Sequence, residues 1–191
     1  MAKSEKAFRR AALPFMVNMI PAAGKEVEQE TMRISFDLDD VLFVSPLRYE
    51  TEPALHFPLN KLFPDRLRKG TPELIRALQK AGHEVWIYTS SYRTEKYLKA
   101  LFRAYGVRFD GIVNGQRHEN EVQRGRKDRL PQKLPNFYHI SLHVDDEKSV
   151  EKNGRLFGFR TLHVFEPDEH WVEKVLAEAE RIDRMEQAEH P

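Results

Sequence analysis

Apolar and polar positions along the chain come in short runs whose period switches between two and about 3.6, and the switches predict strands that alternate with helices. Ile34 and Phe36 alternate with Arg33 and Ser35, a strand pattern opening at Met32. A second strand is predicted over His83 to Thr89, where Val85, Trp86, Ile87 and Tyr88 form a run too apolar for a solvated sheet. A weak third strand follows at Gly111 to Asn114, a fourth at Tyr138 to Val144 and a fifth at Arg160 to Phe165.

Helical patterns lie between them. Thr71 is placed to cap a helix with Pro72 at its first position and Glu73 in its first turn; Leu74, Ile75, Leu78 and Ala81 share a face, and Gly82 ends it. Thr94 to Tyr105 puts Tyr97, Leu98, Leu101, Phe102 and Tyr105 inward. A short helix from about Glu147 is expected to reach a turn at Asn153-Gly154, and a last one over 168–188 buries Trp171, Val172, Val175, Leu176, Ala179 and Ile182. Alternating strands and helices predict an α/β, Rossmann-like doubly wound parallel sheet of about five strands with right-handed crossovers. Residues 45–70 hold Pro46, Pro53, Pro58 and Pro64 and read as an irregular excursion with at most a short helix; 115–135 are polar and turn-rich.

Composition narrows the picture. A chain of 191 residues, 40% hydrophobic and 32% charged, suits one domain, here 31–188, behind a loosely ordered extension over 1–30. A net charge of +1 demands no polyanionic partner, and the absence of cysteine removes disulfides, thiolate catalysis and cysteine metal sites. No stretch approaches the roughly 20 apolar residues of a membrane span. Residues 11–23 only faintly suggest a secretory signal, so the expected location is cytoplasmic, without membrane partners. His83, His118, His139, His143 and His163 show no metal-ligand spacing and are expected to be structural or on the surface.

The chemistry is expected where the first strand runs into Asp37-Leu38-Asp39-Asp40. Acids at the carboxyl end of a buried strand sit where open α/β sheets bind ligands, and such crowded carboxylates stay ionised most easily beside a hard cation. A short D-x-D taken alone reads more readily as solvated acids capping a strand. The second strand ends on Thr89-Ser90, able to hold a phosphate oxygen through a hydroxyl and nearby backbone N–H groups. Lys127 and Lys133 precede the fourth strand, which ends on Asp145-Asp146.

In the order Asp, Thr, Lys, Asp, these residues resemble the four motifs of the haloacid dehalogenase-like (HAD) superfamily, over residues 32–166. The resemblance implies a HAD-like fold and an Mg²⁺-dependent phosphomonoesterase. Asp37 would be the nucleophile that forms an aspartyl-phosphate, and Asp39 the general acid and base. Thr89, Ser90 and a lysine would hold the phosphate. Mg²⁺ would be held by Asp37, the Asp39 main-chain carbonyl and Asp145, with Asp146 acting through water or orienting the lysine. Lys127 is preferred because Lys-Asp-x-Leu, about 18 residues before the acidic pair, resembles the spacing in capless members. The family's usual Gly before the fourth-motif acid is Val144 here.

No separate cap domain fits, so the site should be open to a large phosphorylated end or to a small nucleotide covered by 45–70 or by a second subunit. Substrate choices are a nucleotide, a nucleic-acid end or a phosphoprotein. The basic 117–133 segment could bind a phosphate backbone, but without interleaved aromatics it reads as a solvated loop, which disfavours nucleic acid. The rival class is a non-catalytic scaffold on the same fold; the presence of Asp37, Asp39 and Asp145 together counts against it.

Overall fold

Period-two alternation in the first strand decides what lies on each side of the sheet. In the computed structural model, which describes residues 31–165 and 167–189, β1 (Arg33–Phe36) turns Ile34 and Phe36 into the main hydrophobic core and Ser35 to the opposite face. The extension expected over 1–30 lies outside the described residues. Four further strands, β2 (Glu84–Tyr88), β3 (Gly111–Val113), β4 (Leu142–Asp145) and β5 (Thr161–His163), pair in parallel in the order β3-β2-β1-β4-β5. This is the expected doubly wound α/β sheet. Its chain direction switches sides between β1 and β4, where a crevice opens at the carboxyl ends.

The main core lies on the side of Ile34, Phe36, Val85, Ile87, Leu142 and Val144. It is covered by α2 (Thr71–Lys80), α3 (Glu95–Ala104) and α6 (Trp171–Glu189), whose buried stripes supply Leu74, Leu78, Leu98, Leu101, Val175 and Ile182. A smaller cluster of Tyr88, Val113, Val122, Tyr138 and Ile140 covers the other face. Its cover comes from the chain after β3: α4 (Gly115–His118), a π-helical turn at Glu119–Gln123 and a 3₁₀ turn at Pro135–Tyr138. The excursion after β1 carries only α1 (Leu59–Leu62) and is pinned by antiparallel bridges pairing Phe43 with Leu67 and Thr51 with Arg68. Among the described residues there is no separate cap domain. No helix of the described residues is long and apolar enough to cross a membrane.

Three local expectations are corrected. Thr71 does not cap α2: Gly70, at φ 85°, holds the cap position, and the Thr71 hydroxyl donates to the Arg68 carbonyl at 2.7 Å. The apolar run from Tyr138 is a turn, not the start of a strand, because His139 sits at φ 53° and the sheet register resumes only at Leu142. Asn153-Gly154 is no turn either. α5 (Lys148–Phe157) runs through it and ends at Gly158, at φ 74°.

Gly154 is required for packing, since a Cβ there would lie 2.7 Å from the Phe159 carbonyl oxygen and 3.2 Å from Thr161 Cγ2. Gly154→Ala should therefore destabilise the fold by about 1–2 kcal/mol: overpacking costs about 1–3 kcal/mol, and alanine's better helix propensity recovers up to about 1. Urea unfolding of both proteins checks this, and an alanine variant as stable as the parent would contradict the packing.

Candidate active site

Parallel register brings the acids of two distant segments together. Phe36 aligns with Val144, and the Asp37 N–H donates to the Val144 carbonyl at 2.9 Å, so Asp37 and Asp145 leave neighbouring strands side by side. Beyond Asp37 the chain folds back in a tight turn: the Leu42 and Phe43 N–H groups both donate to the Leu38 carbonyl, at 2.9 and 2.7 Å, and Asp40 takes φ 59°. Leu38, Val41 and Leu42 are buried by this turn, while Asp39 and Asp40 stand exposed at its outside.

Between the two strand ends lies Lys133. Its ammonium nitrogen is 3.0 Å from Asp37 Oδ2 and 2.5 Å from Asp145 Oδ2, and all three side chains are buried. Burial by itself would lower the lysine's pKa, but the two carboxylates outweigh it and raise it, so Lys133 is a cation. Burial likewise pushes Asp37 above its ordinary range, against the pull of Lys133 and with the help of the Asp145 charge. Asp145 moves the other way: burial opposes the shift, yet the hydrogen bond and charge of His143, with Lys133, hold it low.

The lysine preferred from spacing is thus replaced. Lys127 sits exposed in the loop, whereas Lys133 returns under the sheet between two anchors: Leu130 packs on the small cluster, and the Leu134 N–H donates to the Tyr88 hydroxyl at 2.8 Å. Two further residues were not assigned to the site from the sequence. His143 Nε2 lies 2.9 Å from Asp145 Oδ2 and Nδ1 lies 2.8 Å from Ser35 Oγ, so the ring bridges the serine and the acid. The signal was present, because Ser35, His143 and Asp145 share the face opposite Ile34 and Val144.

Asp39 meets the Arg93 guanidinium, whose Nη1 donates to Asp39 Oδ2 and to Ser91 Oγ, both at 2.9 Å. Arg93 also pairs with Asp65 of the excursion at 3.3 Å and lies over the Phe43 ring, and Tyr97 donates to Asp65 at 2.7 Å. Thr89 is buried, and its N–H is spent on the Val113 carbonyl at 2.9 Å; only its hydroxyl, which accepts from Ser91 N–H, remains for a phosphate. Ser90 is exposed beside it.

The loop carrying Ser90 rests on the start of α4. Gly115 N–H donates to the Ser91 carbonyl at 2.9 Å, Asn114 Nδ2 donates to the Arg93 carbonyl at 3.0 Å, and a Cβ at Gly115 would lie 2.5 Å from the Ser90 carbonyl oxygen.

The donor set fits a hard divalent cation. Asp37, Asp145 and Asp146 each offer an oxygen within 4.8 Å of the others. Asp37 Oδ1 is buried and has no hydrogen-bond partner among the described residues. Asp146 is pushed up to about 6, first by burial and then by the Asp145 charge, as expected where carboxylates outnumber cations.

Lys133→Met should cost roughly 3–5 kcal/mol, since it leaves buried carboxylates uncompensated, whereas the exposed Lys127→Ala should stay within about 0.5 kcal/mol. Thermal unfolding of the two variants compares them directly. Equal midpoints would contradict the placement of Lys133.

No family model matches this chain, and no curated protein matches it. Solved structures with a similar architecture include a HAD-superfamily hydrolase, subfamily IA, variant 1, from Geobacter sulfurreducens, at 12% identity and TM-score 0.46 over 70% of this chain and 89% of the other. Another is a HAD-like family hydrolase from Porphyromonas gingivalis, at 13% identity and TM-score 0.41 over 76% and 98%. A chain of the Pnkp1/Rnl/Hen1 RNA repair complex is similar at 17% identity and TM-score 0.45 over 78% and 50%.

Proposed function

We propose that the protein is an Mg²⁺-dependent phosphohydrolase, a phosphomonoesterase that works through an aspartyl-phosphate on Asp37. The observation that carries this reading is the buried Asp37 carboxylate: Lys133 holds one of its oxygens, the other has no partner, and Asp145 and Asp146 lie within reach. A purely structural ion pair has no use for two more acids and an orphaned oxygen at that spot.

In this reading Asp37, Asp145 and Asp146 hold the cation. When bound, Mg²⁺ draws charge from the phosphoryl oxygens and balances the crowded acids. The Lys133 ammonium and the Thr89 hydroxyl border the place of the phosphate and offset or bond its charge, with Ser90 at the mouth. The Asp37 carboxylate attacks phosphorus while the bond from phosphorus to the ester oxygen breaks, and Asp39 gives that leaving oxygen a proton. Water then attacks the acyl-phosphate and returns a proton to Asp39; inorganic phosphate leaves and Asp37 is restored. Arg93 holds Asp39 through one oxygen, Oδ2, and thereby fixes its direction. Ser35 and His143 act at one remove, holding Asp145 in place.

Asp37→Asn should abolish phosphate release from small phosphomonoesters with the fold intact, because the amide is nearly isosteric but cannot attack. Asp39→Asn should slow turnover by about 10²–10⁴-fold, the usual worth of general acid and base assistance. Chelation should stop the wild type, and Mg²⁺ should restore it. Full turnover in excess EDTA, or by Asp37→Asn, would sink the proposal.

A further inference from the structure

Beside the phosphate loop a cavity of about 150 Å³ opens, lined by Ser90, Tyr92, Gln123, Arg129 and Gln132 among others. It shares Glu119, Gln123 and Arg129 with a second cavity of about 380 Å³, which adds Arg124, Arg126, Lys127 and Asp128. The shared walls make one trough that starts at Ser90 and ends in the exposed loop. Four cations face two acids along its outer part, while the whole chain carries 31 cations and 30 acids, so charge that is balanced overall is concentrated here. One of the acids, Glu119, already accepts a hydrogen bond from the Tyr92 hydroxyl.

The near end of the trough has an aromatic platform. Tyr92 is 60% exposed, and the edge of its ring lies where a Cβ on Gly115 would meet it at 2.9 Å. The glycine therefore lets the phosphate loop and Tyr92 settle against the wall of the trough. The sequence places no aromatic within 117–133, but the fold supplies one from the neighbouring loop. Leu130 is the only aliphatic side chain among the lining residues. Such a surface has little to offer the apolar side chains of a protein tail. It suits a ligand with a flat ring near its scissile phosphate and further phosphates beyond it.

Resting on the phosphohydrolase reading above, we infer that the substrate is the phosphorylated end of a single-stranded nucleic acid. Its terminal phosphate enters between Asp37 and Ser90, its last base lies on Tyr92, and its following phosphodiesters run along Arg129, Arg126 and Arg124. No apolar contact is needed to hold it. The exposed turn-rich loop follows a backbone that carries one charge per nucleotide.

The test uses the full-length chain with Mg²⁺, made inactive by Asp37→Asn, and reads fluorescence anisotropy with labelled hexanucleotides that bear a 3′-phosphate, a 5′-phosphate or neither. A nucleoside monophosphate and a phosphorylated peptide of equal length compete. One phosphorylated hexanucleotide should bind about tenfold or more tighter than the mononucleotide and the unphosphorylated strand. Its log affinity should fall with log salt at a slope of about −2 to −3, given roughly 0.7 per neutralised phosphate. Adding Arg124→Ala and Arg126→Ala, both exposed, should flatten that slope by about 1.4, again at roughly 0.7 per lost contact. Adding Tyr92→Ala should weaken binding by roughly tenfold, and Tyr92→Phe should restore it.

Equal binding of mononucleotide and hexanucleotide, a slope untouched by the arginine changes, indifference to the terminal phosphate, or a peptide that binds as tightly would each overturn the inference. The two readings fail separately. Wild-type turnover of small phosphomonoesters without a preference for the strand defeats the inference alone, whereas wild type that releases phosphate from neither defeats the phosphohydrolase reading.

Discussion

Two carboxylates that leave adjacent parallel strands at the same level must either be separated, protonated or bridged, and this fold bridges them with a buried ammonium. The register pairing Phe36 with Val144 fixes Asp37 beside Asp145 before any side chain chooses a partner. Uncompensated, that arrangement would set two like charges in a low-dielectric site. Lys133, 3.0 Å from one and 2.5 Å from the other, is what lets the register and the acids coexist. One positive charge cannot balance Asp37, Asp145 and Asp146 together. Burial pushes Asp37 and Asp146 up, and the charge of Asp145 adds to both shifts.

The bridge explains why the second face of the sheet has its particular cover. Helices cover the first face because their apolar stripes match it in size. On the other face a polar row of Ser35, His143 and Asp145 runs through β1 and β4, and an apolar helix laid over it would strand those groups without partners. The chain after β3 instead covers this side with short turns. It brings Tyr138 and Ile140 against Tyr88 and Val113 and delivers Lys133 to the acids.

What could be read from the sequence follows the same division. Elements with a clear period were legible: β1 and β2, the inward faces of α2, α3 and α6, and the ends of β1 and β4 where Asp37 and Asp145 stand. The helix start near Thr94 was legible too, and in the structure the Thr94 hydroxyl caps it by accepting from the Tyr97 N–H at 3.3 Å. The lysine was not, because counting along the chain favours Lys127 while reach is decided by the anchors at Leu130 and Leu134, which are tertiary. Nor was the partner of Asp39, since Arg93 stands 54 residues away in sequence and meets it only once β2 has paired with β1. Tyr138 to Ile140 looks like a strand by composition. A left-handed His139 breaks it, and nothing in the residue types announces that.

The open geometry has a consequence for how such a site selects its ligand. Among the described residues the excursion reaches the site through Asp65, which pairs with Arg93, and forms no cap over it. On the inference above, discrimination comes from surfaces beside the crevice, where Arg129 lines one cavity with Tyr92 and Ser90. Lys133 cannot supply this selectivity, because its charge is committed to two acids at any ionic strength that keeps the fold. Exposed arginines can, and salt screens them as it does not screen a buried pair. The site and its neighbouring loop therefore carry cations of two kinds: Lys133, buried between two acids, and arginines that stand exposed on the loop.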